Sequence, residues 1–286
     1  MNPANLPRVV SGPIEASRAI QAARAAGKSI GLVPTMGALH NGHLSLVRQS
    51  NAECDFTVVT IFVNPTQFGP REDFGKYPRT LESDLASLAS CKTDLVFAPT
   101  ADEMYPPGFS TYVEPPQAAT PWDGEVRPGH FRGVATVVLK LFNILPADRA
   151  YFGQKDFQQS LVIRRMVADL NVPIDVRICP IVREPDGLAM SSRNRYLQPD
   201  ERRQALAISR SLRAAREMAG RGERSADVVR QAMRQILLDG GIERIDYVAI
   251  VHPETLFEAN VIEPGTVALI AVRVGTTRLI DNEVLA

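Results

Sequence analysis

Surplus charge of either sign is missing from this sequence, in which 32 Lys and Arg stand against 32 Asp and Glu. No net field therefore draws the chain to nucleic acid or to an anionic membrane, although an anion site needs only a local basic patch. Cysteine is scarce. Cys54, Cys91 and Cys179 form an odd, widely spaced set with no CxxC pair, which argues against a disulfide framework or a zinc site and fits a reducing compartment. Long apolar runs are absent as well: residues 56–63 make one of the longest and fall far short of a membrane span. Residues 1–12 lack the apolar stretch of a signal peptide. The expectation is a cytoplasmic enzyme or binding domain. The rest is ordinary for a chain with a real core, 45% hydrophobic and 22% charged, and 286 residues suffice for one large domain and a small one.

The first 180 residues alternate short β-branched runs with helical patterns. Strands are expected at 29–33, 56–63, 94–98, 150–152 and 174–182, and helices at 43–54, 81–91, 133–145 and 157–170. Such alternation means βαβ crossovers and a parallel sheet. Ligands then belong beyond the carboxyl ends of the strands, just after Val33, Val63, Phe152 and Val182. Two long loops, 64–78 and 99–132, have the composition of binding loops or lids. After about Arg195 come two helices, 199–219 and one capped by Ser225, then strands at 245–251, 266–274 and 277–280. The fold class expected is α/β: a Rossmann-like parallel-sheet domain over 1–187, with a smaller α+β domain over 188–286.

Chemistry-bearing residues fall at those strand ends. PTMGALHNGH, residues 34–43, joins the first expected strand to a helix and holds two of the four histidines, His40 and His43. Gly42 permits a tight turn, and a helix N-terminus offers N–H groups and a positive dipole end to phosphate. Imidazoles there can stabilise charge on a leaving pyrophosphate. Two blander readings stand beside this one. The first is a helix-capping turn whose histidines are incidental. The second is a metal pair, for which His130 and His252 are remote in sequence and no third ligand is near.

Gly153-Gln154-Lys155-Asp156 follows another strand, and Lys155 is one of five lysines. Its ammonium suits phosphate, and Asp156 suits a ribose hydroxyl or Mg²⁺; the bland reading is a polar turn. Met190-Ser191-Ser192-Arg193 follows the last expected strand of the first domain and could close over a triphosphate, though such a run in a loop is often only a solvated turn. Gln67, in FVNPTQF, and Gln159 carry neutral amides that donate and accept, which suits a hydroxy acid. A phosphate acceptor would call for Arg or Lys.

Five motifs in order, PTMGALHNGH, FVNPTQF, GHFRGVATVV, YFGQKDFQQ and MSSRN, cover essentially the whole chain, and by them it resembles the pantoate–β-alanine ligase (pantothenate synthetase) family of HxGH nucleotidyltransferases. The resemblance implies ATP-dependent joining of pantoate to β-alanine through pantoyl adenylate, releasing AMP and pyrophosphate. Mg²⁺ would accompany ATP, and the protein would be a homodimer whose C-terminal domain serves as a lid. It implies that His43, His40 and Lys155 are catalytic. ATP would meet Met36, Gly37, Ala38, Leu39, His40, Asn41, Gly42, His43, Gly153, Gln154, Lys155, Asp156, Val182, Met190, Ser191, Ser192 and Arg193. Pantoate would meet Gln67 and Gln159, and β-alanine Gln67; no residue is assigned to a metal. MSSR stands where relatives of that superfamily carry a mobile KMSKS-type loop, and Pro185 and Gly187 just before it are expected to absorb hinge motion. Two rivals are an HxGH enzyme that adenylates a phosphate and a nucleotide-sensing protein without catalysis.

Overall fold

A computed structural model describes residues 6–70 and 72–285. The chain divides into two compact units, Met1–Gly153 with Gln159–Cys179, and Gln154–Gln158 with Pro180–Ala286. The boundary expected after residue 187 thus lies inside the second unit, which also takes in the turn after the fifth strand.

In chain order the first part runs β1 (Arg8–Val10), α1 (Pro13–Ala25), β2 (Ile30–Thr35), α2 (Asn41–Glu53), β3 (Phe56–Ile61), α3 (Leu81–Ala89) and β4 (Leu95–Phe97). Two single-turn helices follow, α4 (Ala101–Met104) and α5 (Asp123–Val126), then α6 (His130–Ile144), β5 (Arg149–Gly153), α7 (Phe157–Asp169) and β6 (Asp175–Cys179). The six strands form one parallel sheet in the order β1-β4-β3-β2-β5-β6. β2 lies between β3 and β5, so the connections leave it in opposite directions, and the topological switch point falls between β2 and β5.

The strands read as near-continuous apolar runs because both faces are covered. Along them, side chains alternate between two cores. Leu32, Val58, Leu95, Phe97, Ala150 and Phe152 pack with Ile20 of α1, Val134 and Leu141 of α6 and Val162 of α7. Their neighbours Val33, Val59, Val96 and Tyr151 pack instead with Leu44 and Val47 of α2 and Leu88 of α3.

Three expectations change. β1 and α1 stand ahead of the first expected strand; α1 opens with Pro13 and buries Ala16, Ile20 and Ala23 along one side. The strand expected through residue 182 ends at Cys179, where Pro180 has no N–H to give a ladder. The helix expected from residue 43 starts at Asn41, with His40 as its cap.

The second unit holds α8 (Pro199–Gly220), α9 (Ala226–Asp239) and an antiparallel sheet of β7 (Arg244–Val251), β8 (Val267–Val274) and β9 (Thr277–Val284). Ile208 and Leu212 of α8 and Val229, Met233 and Leu237 of α9 pack on Val248, Ile250, Ile270 and Val272. β9 runs four residues past the expected strand end at 280. Residues 183–187 form a tied turn. Arg183 bridges Ala189, Glu184 N donates to Leu188 O at 2.8 Å, and Arg202 holds the carboxylates of Glu184 at 2.6 Å and Asp186 at 2.7 Å. The chain passes between the units at Gly153/Gln154, Gln158/Gln159 and Cys179/Pro180.

Candidate active site

The turn after β2 is built backbone first. Thr35 Oγ1 donates to Thr60 O at 2.6 Å on the neighbouring strand and accepts from Gly37 N at 3.1 Å. Gly37 (φ 82°) and Ala38 (φ 52°) are both left-handed, a conformation that turns successive N–H groups to one side as an anion nest. The buried carboxylate of Asp84 on α3 fills that nest, accepting from Ala38 N at 3.0 Å and Leu39 N at 2.8 Å. Met36, Gly37, Ala38 and Leu39 are thereby fixed ahead of α2.

HNGH then forms a reciprocal cap. His40 Nδ1 accepts from Gly42 N at 3.1 Å, His43 Nδ1 accepts from His40 N at 3.3 Å, and the ring centroids lie 4.0 Å apart. Both interactions follow capping-box logic, with imidazoles in place of the usual hydroxyl and carboxylate. An Nδ1 that accepts leaves the ring proton on Nε2. Each histidine is therefore an Nε2–H donor at the N-terminus of a 13-residue helix. The capping-turn reading is correct as geometry, and it leaves the chemical reading intact. Asn41 is exposed and Gly42 half-buried between them.

Gln67 ends a short 3-10 turn, Pro65–Gln67, after β3. It is buried, its Oε1 accepts from Asn64 Nδ2 at 3.1 Å, and its Nε2 donates to Met36 Sδ at 3.2 Å. The structure thus joins two of the expected residues, Gln67 and Met36. Asn64 also donates to Gly133 O at 3.2 Å and accepts from Tyr105 Oη at 2.8 Å. Gly153 ends β5, and Gln159 is half-buried in the first turn of α7.

The remaining expected residues gather in the second unit. Gln154, Lys155 and Asp156 form a 3-10 turn clamped by β9: Asn282 Nδ2 donates to Gln154 O and Lys155 O, each at 2.9 Å. Lys155 Nζ lies 3.8 Å from Asp156. Beside Asn282, the Asp281 carboxylate is almost wholly buried and takes two bonds from Arg183, at 2.6 and 3.2 Å. Burial raises the Asp281 pKa, while its carboxylate raises that of Arg183 in turn. Two charge-assisted bonds and the Asn282 N–H, at 2.8 Å, support an ionised pair. Met190 N donates to Val182 O at 2.9 Å, which brings Val182 to the start of MSSR. Ser191 Oγ accepts from Arg193 N at 3.3 Å to cap the 3-10 turn Ser192–Tyr196, in which Ser192 is buried.

Sequence reasoning missed Asp84, Asn64 as an orienting amide, the Asp281–Asn282 clamp and the cluster behind Gln67. In that cluster Arg127 Nε and Nη2 donate to Glu72 at 2.6 and 2.7 Å, while the His130 ring lies against Arg127 and the Gln67 carbonyl, 2.9 Å from each. GHFRG was visible as a motif, but its ties reach across the chain.

Known proteins resemble this chain over nearly its whole length. The family model described as pantoate-beta-alanine ligase matches residues 8–284. A pantothenate synthetase of Roseiflexus sp. (strain RS-1) is 58% identical over 267 residues, 93% of this chain and 96% of that protein. The crystal structure of pantothenate synthetase from Thermus thermophilus superposes with a TM-score of 0.92 at 48% identity, covering 96% of this chain and 98% of that one. A pantoate-beta-alanine ligase from Francisella tularensis, solved in complex with beta-gamma ATP and beta-alanine, has a TM-score of 0.81 at 33% identity and covers 97% of each chain. With one family model spanning nearly all of its length and relatives matched end to end, the chain belongs to the pantoate-beta-alanine ligase family.

Proposed function

We propose that this enzyme joins pantoate to β-alanine at the expense of ATP, by way of pantoyl adenylate. A pantoate carboxylate oxygen attacks the α-phosphorus and pyrophosphate leaves. The β-alanine amine, having lost a proton, then attacks the acyl carbon, and AMP leaves with the bonding electrons. The observation that carries this reading is the doubly capped HNGH turn: both histidines direct an Nε2–H donor from a helix N-terminus, where charge on departing phosphate oxygens is best met. Donors already fixed by the cap need no reorganisation as that charge develops.

In this reading Met36, Gly37, Ala38, Leu39, Asn41 and Gly42 line the nucleotide with His40 and His43. Gly153, Gln154, Asp156, Val182, Met190, Ser191, Ser192 and Arg193 also take ATP, and Lys155 supplies a cation to its phosphates. Gln67 and Gln159 hold pantoate, and Gln67 also meets β-alanine. Gln67 is suited to that work because its Nε2–H rests on a thioether, a weak acceptor that a substrate oxygen readily replaces. A neutral amide there fits a hydroxy acid better than a phosphate acceptor. Among the described residues no three His, Cys, Asp or Glu side chains gather into a cation cage; ATP would bring Mg²⁺ with it. Asp156 is the carboxylate that would meet it, and its contribution would be to neutralise phosphate charge.

Residues 188–286 serve as the lid in this reading, and the enzyme acts as a cytoplasmic homodimer. No helix among the described residues is long and apolar enough to cross a membrane. The test is isotope exchange. Labelled pyrophosphate should enter ATP when pantoate is present and β-alanine absent, and complete turnover should yield AMP. Exchange only with β-alanine present, or cleavage to ADP and phosphate, would overturn the adenylate route.

A further inference from the structure

The motif GHFRGVATVV holds none of the roles above, yet its first residues grip the turn that carries Gln67. We infer that His130 is a positioning residue, holding the Gln67 main chain so that the Gln67 amide meets the acid. The inference rests on the reading of Gln67 as acid-binding.

A carbonyl oxygen only accepts, so the His130 Nδ1 that lies 2.9 Å from Gln67 O must donate to it. Nε2 then carries the lone pair, and it accepts from Arg127 Nη1 at 2.9 Å. Arg127 has no acceptor to offer, and its Nε and Nη2 are engaged by Glu72 at 2.6 and 2.7 Å, so the guanidinium is held in one orientation and dictates the tautomer. Burial first, and Arg127 second, hold the His130 pKa down to about 4, so the ring stays neutral and keeps this donor-acceptor order near neutral pH.

Gly133, one helical turn on, completes the grip. A Cβ there would lie 2.4 Å from Thr66 O and 2.7 Å from Gln67 N, so only glycine lets the helix backbone rest on the turn. Gly133 O also accepts from Asn64 Nδ2 at 3.2 Å, and the same amide donates to Gln67 Oε1 at 3.1 Å. The opening of α6 therefore fixes the main chain of Gln67 through His130 and its side chain through Asn64. Gln67 Nε2 is left as the directed donor.

Two near-isosteres separate positioning from mere filling. In His130→Asn the amide nitrogen can occupy the place of Nδ1 and still donate to Gln67 O. In His130→Gln the amide reaches the place of Nε2 and serves Arg127 instead. His130→Phe fills the space and offers neither. Steady-state kinetics on the full-length enzyme, with thermal melting alongside, should show His130→Phe raising the pantoate KM by roughly tenfold, the scale of one lost hydrogen bond, the Gln67 carbonyl keeping only the longer bond from Arg127 Nη2 at 3.4 Å. The ATP KM should stay within about twofold, and His130→Asn should recover most of the pantoate loss, whereas His130→Gln should not. Equal behaviour of the Asn and Gln variants, or pantoate and ATP KM rising together, would overturn the inference; that comparison stands even if the Phe variant fails to fold. Gln67→Ala is measured in parallel. If it leaves the pantoate KM unchanged, the acid-binding reading falls and this inference with it. If it raises that KM and His130→Phe does not, only the role of His130 falls.

Discussion

Acid should loosen the first unit through one histidine, and the size of the effect follows from its surroundings. His130 is buried against the Arg127 guanidinium, and these two causes depress its pKa from 6.5 to about 4; the Gln67 carbonyl, Asp123 and Glu72 oppose them without prevailing. A depressed histidine pKa means that the unfolded chain binds the proton first. Stability is therefore whole above about pH 6.5 and is lost progressively as pH falls toward 4. Integrating the linkage gives a loss of roughly 2.5 kcal/mol by pH 4.5, a large share of a typical total of about 5–15 kcal/mol. Glu72, held below the usual carboxylate range by Arg127, would weaken the fold in the same direction at lower pH. Comparing wild type with His130→Phe isolates the histidine. Urea unfolding would be followed at pH 7.5 and 4.5 through the fluorescence of Trp122, the single tryptophan, which belongs to this unit. Wild type should lose about 2.5 kcal/mol more than the variant between those pH values. Parallel losses would refute the argument, since they would mean that His130 takes up its proton in the folded state at no cost.

Two further substitutions probe the proposed chemistry. His43→Asn keeps an oxygen where Nδ1 accepts from His40 N but has nothing at the position of Nε2, so melting should be nearly unchanged while pyrophosphate exchange falls on the order of 10²- to 10³-fold. Lys155→Ala should also fold, because the turn is held through main-chain oxygens by Asn282, yet lose at least about 10²-fold in turnover for want of a charge-assisted phosphate contact. Near-normal kcat in either variant would remove that residue from the catalytic set.

The sequence was legible where a residue's partner is near or where a pattern repeats. The sheet's central strands announce themselves because both faces are buried, and the strand-end rule led to HNGH, Gln67 and Lys155. β1 stayed hidden because it is three residues long with two of them exposed, and α1 because it buries mainly alanine. Residues 180–182 are apolar enough to look like strand, but Pro180 ends the ladder. Around Pro185 and Gly187 the sequence shows only a polar loop, and the fold adds that Arg202, from α8, holds Glu184 and Asp186 beside them. The missed site residues share one property, which is distance along the chain. Asp84 serves an amide 46 residues away, His130 a carbonyl 63 away, and Asn282 a carbonyl 127 away. No local periodicity encodes such a pairing, so each side chain reads as one more polar residue until the fold supplies its partner.

HNGH shows why a bland reading and a chemical reading of one motif need not compete. A histidine on a mobile loop would present either ring nitrogen in many directions and would lose entropy on each encounter with a phosphate. Here His40 Nδ1 is bonded to the Gly42 N–H of the first turn of α2 and His43 Nδ1 to the N–H of the cap residue, so the helix start sets the tautomer and limits ring rotation. The cap is thus the means by which the rigidity of a 13-residue helix is passed to two Nε2–H donors. Behind it, Asp84 satisfies the two N–H groups of the left-handed turn and so holds the approach to the helix in place. The same logic recurs at Gln67, where Asn64 takes one end of the amide and leaves the other as a donor. In both places near neighbours in sequence aim a functional group, and residues far away, Asp84 behind the cap and Gly133 behind Asn64, hold those neighbours in place.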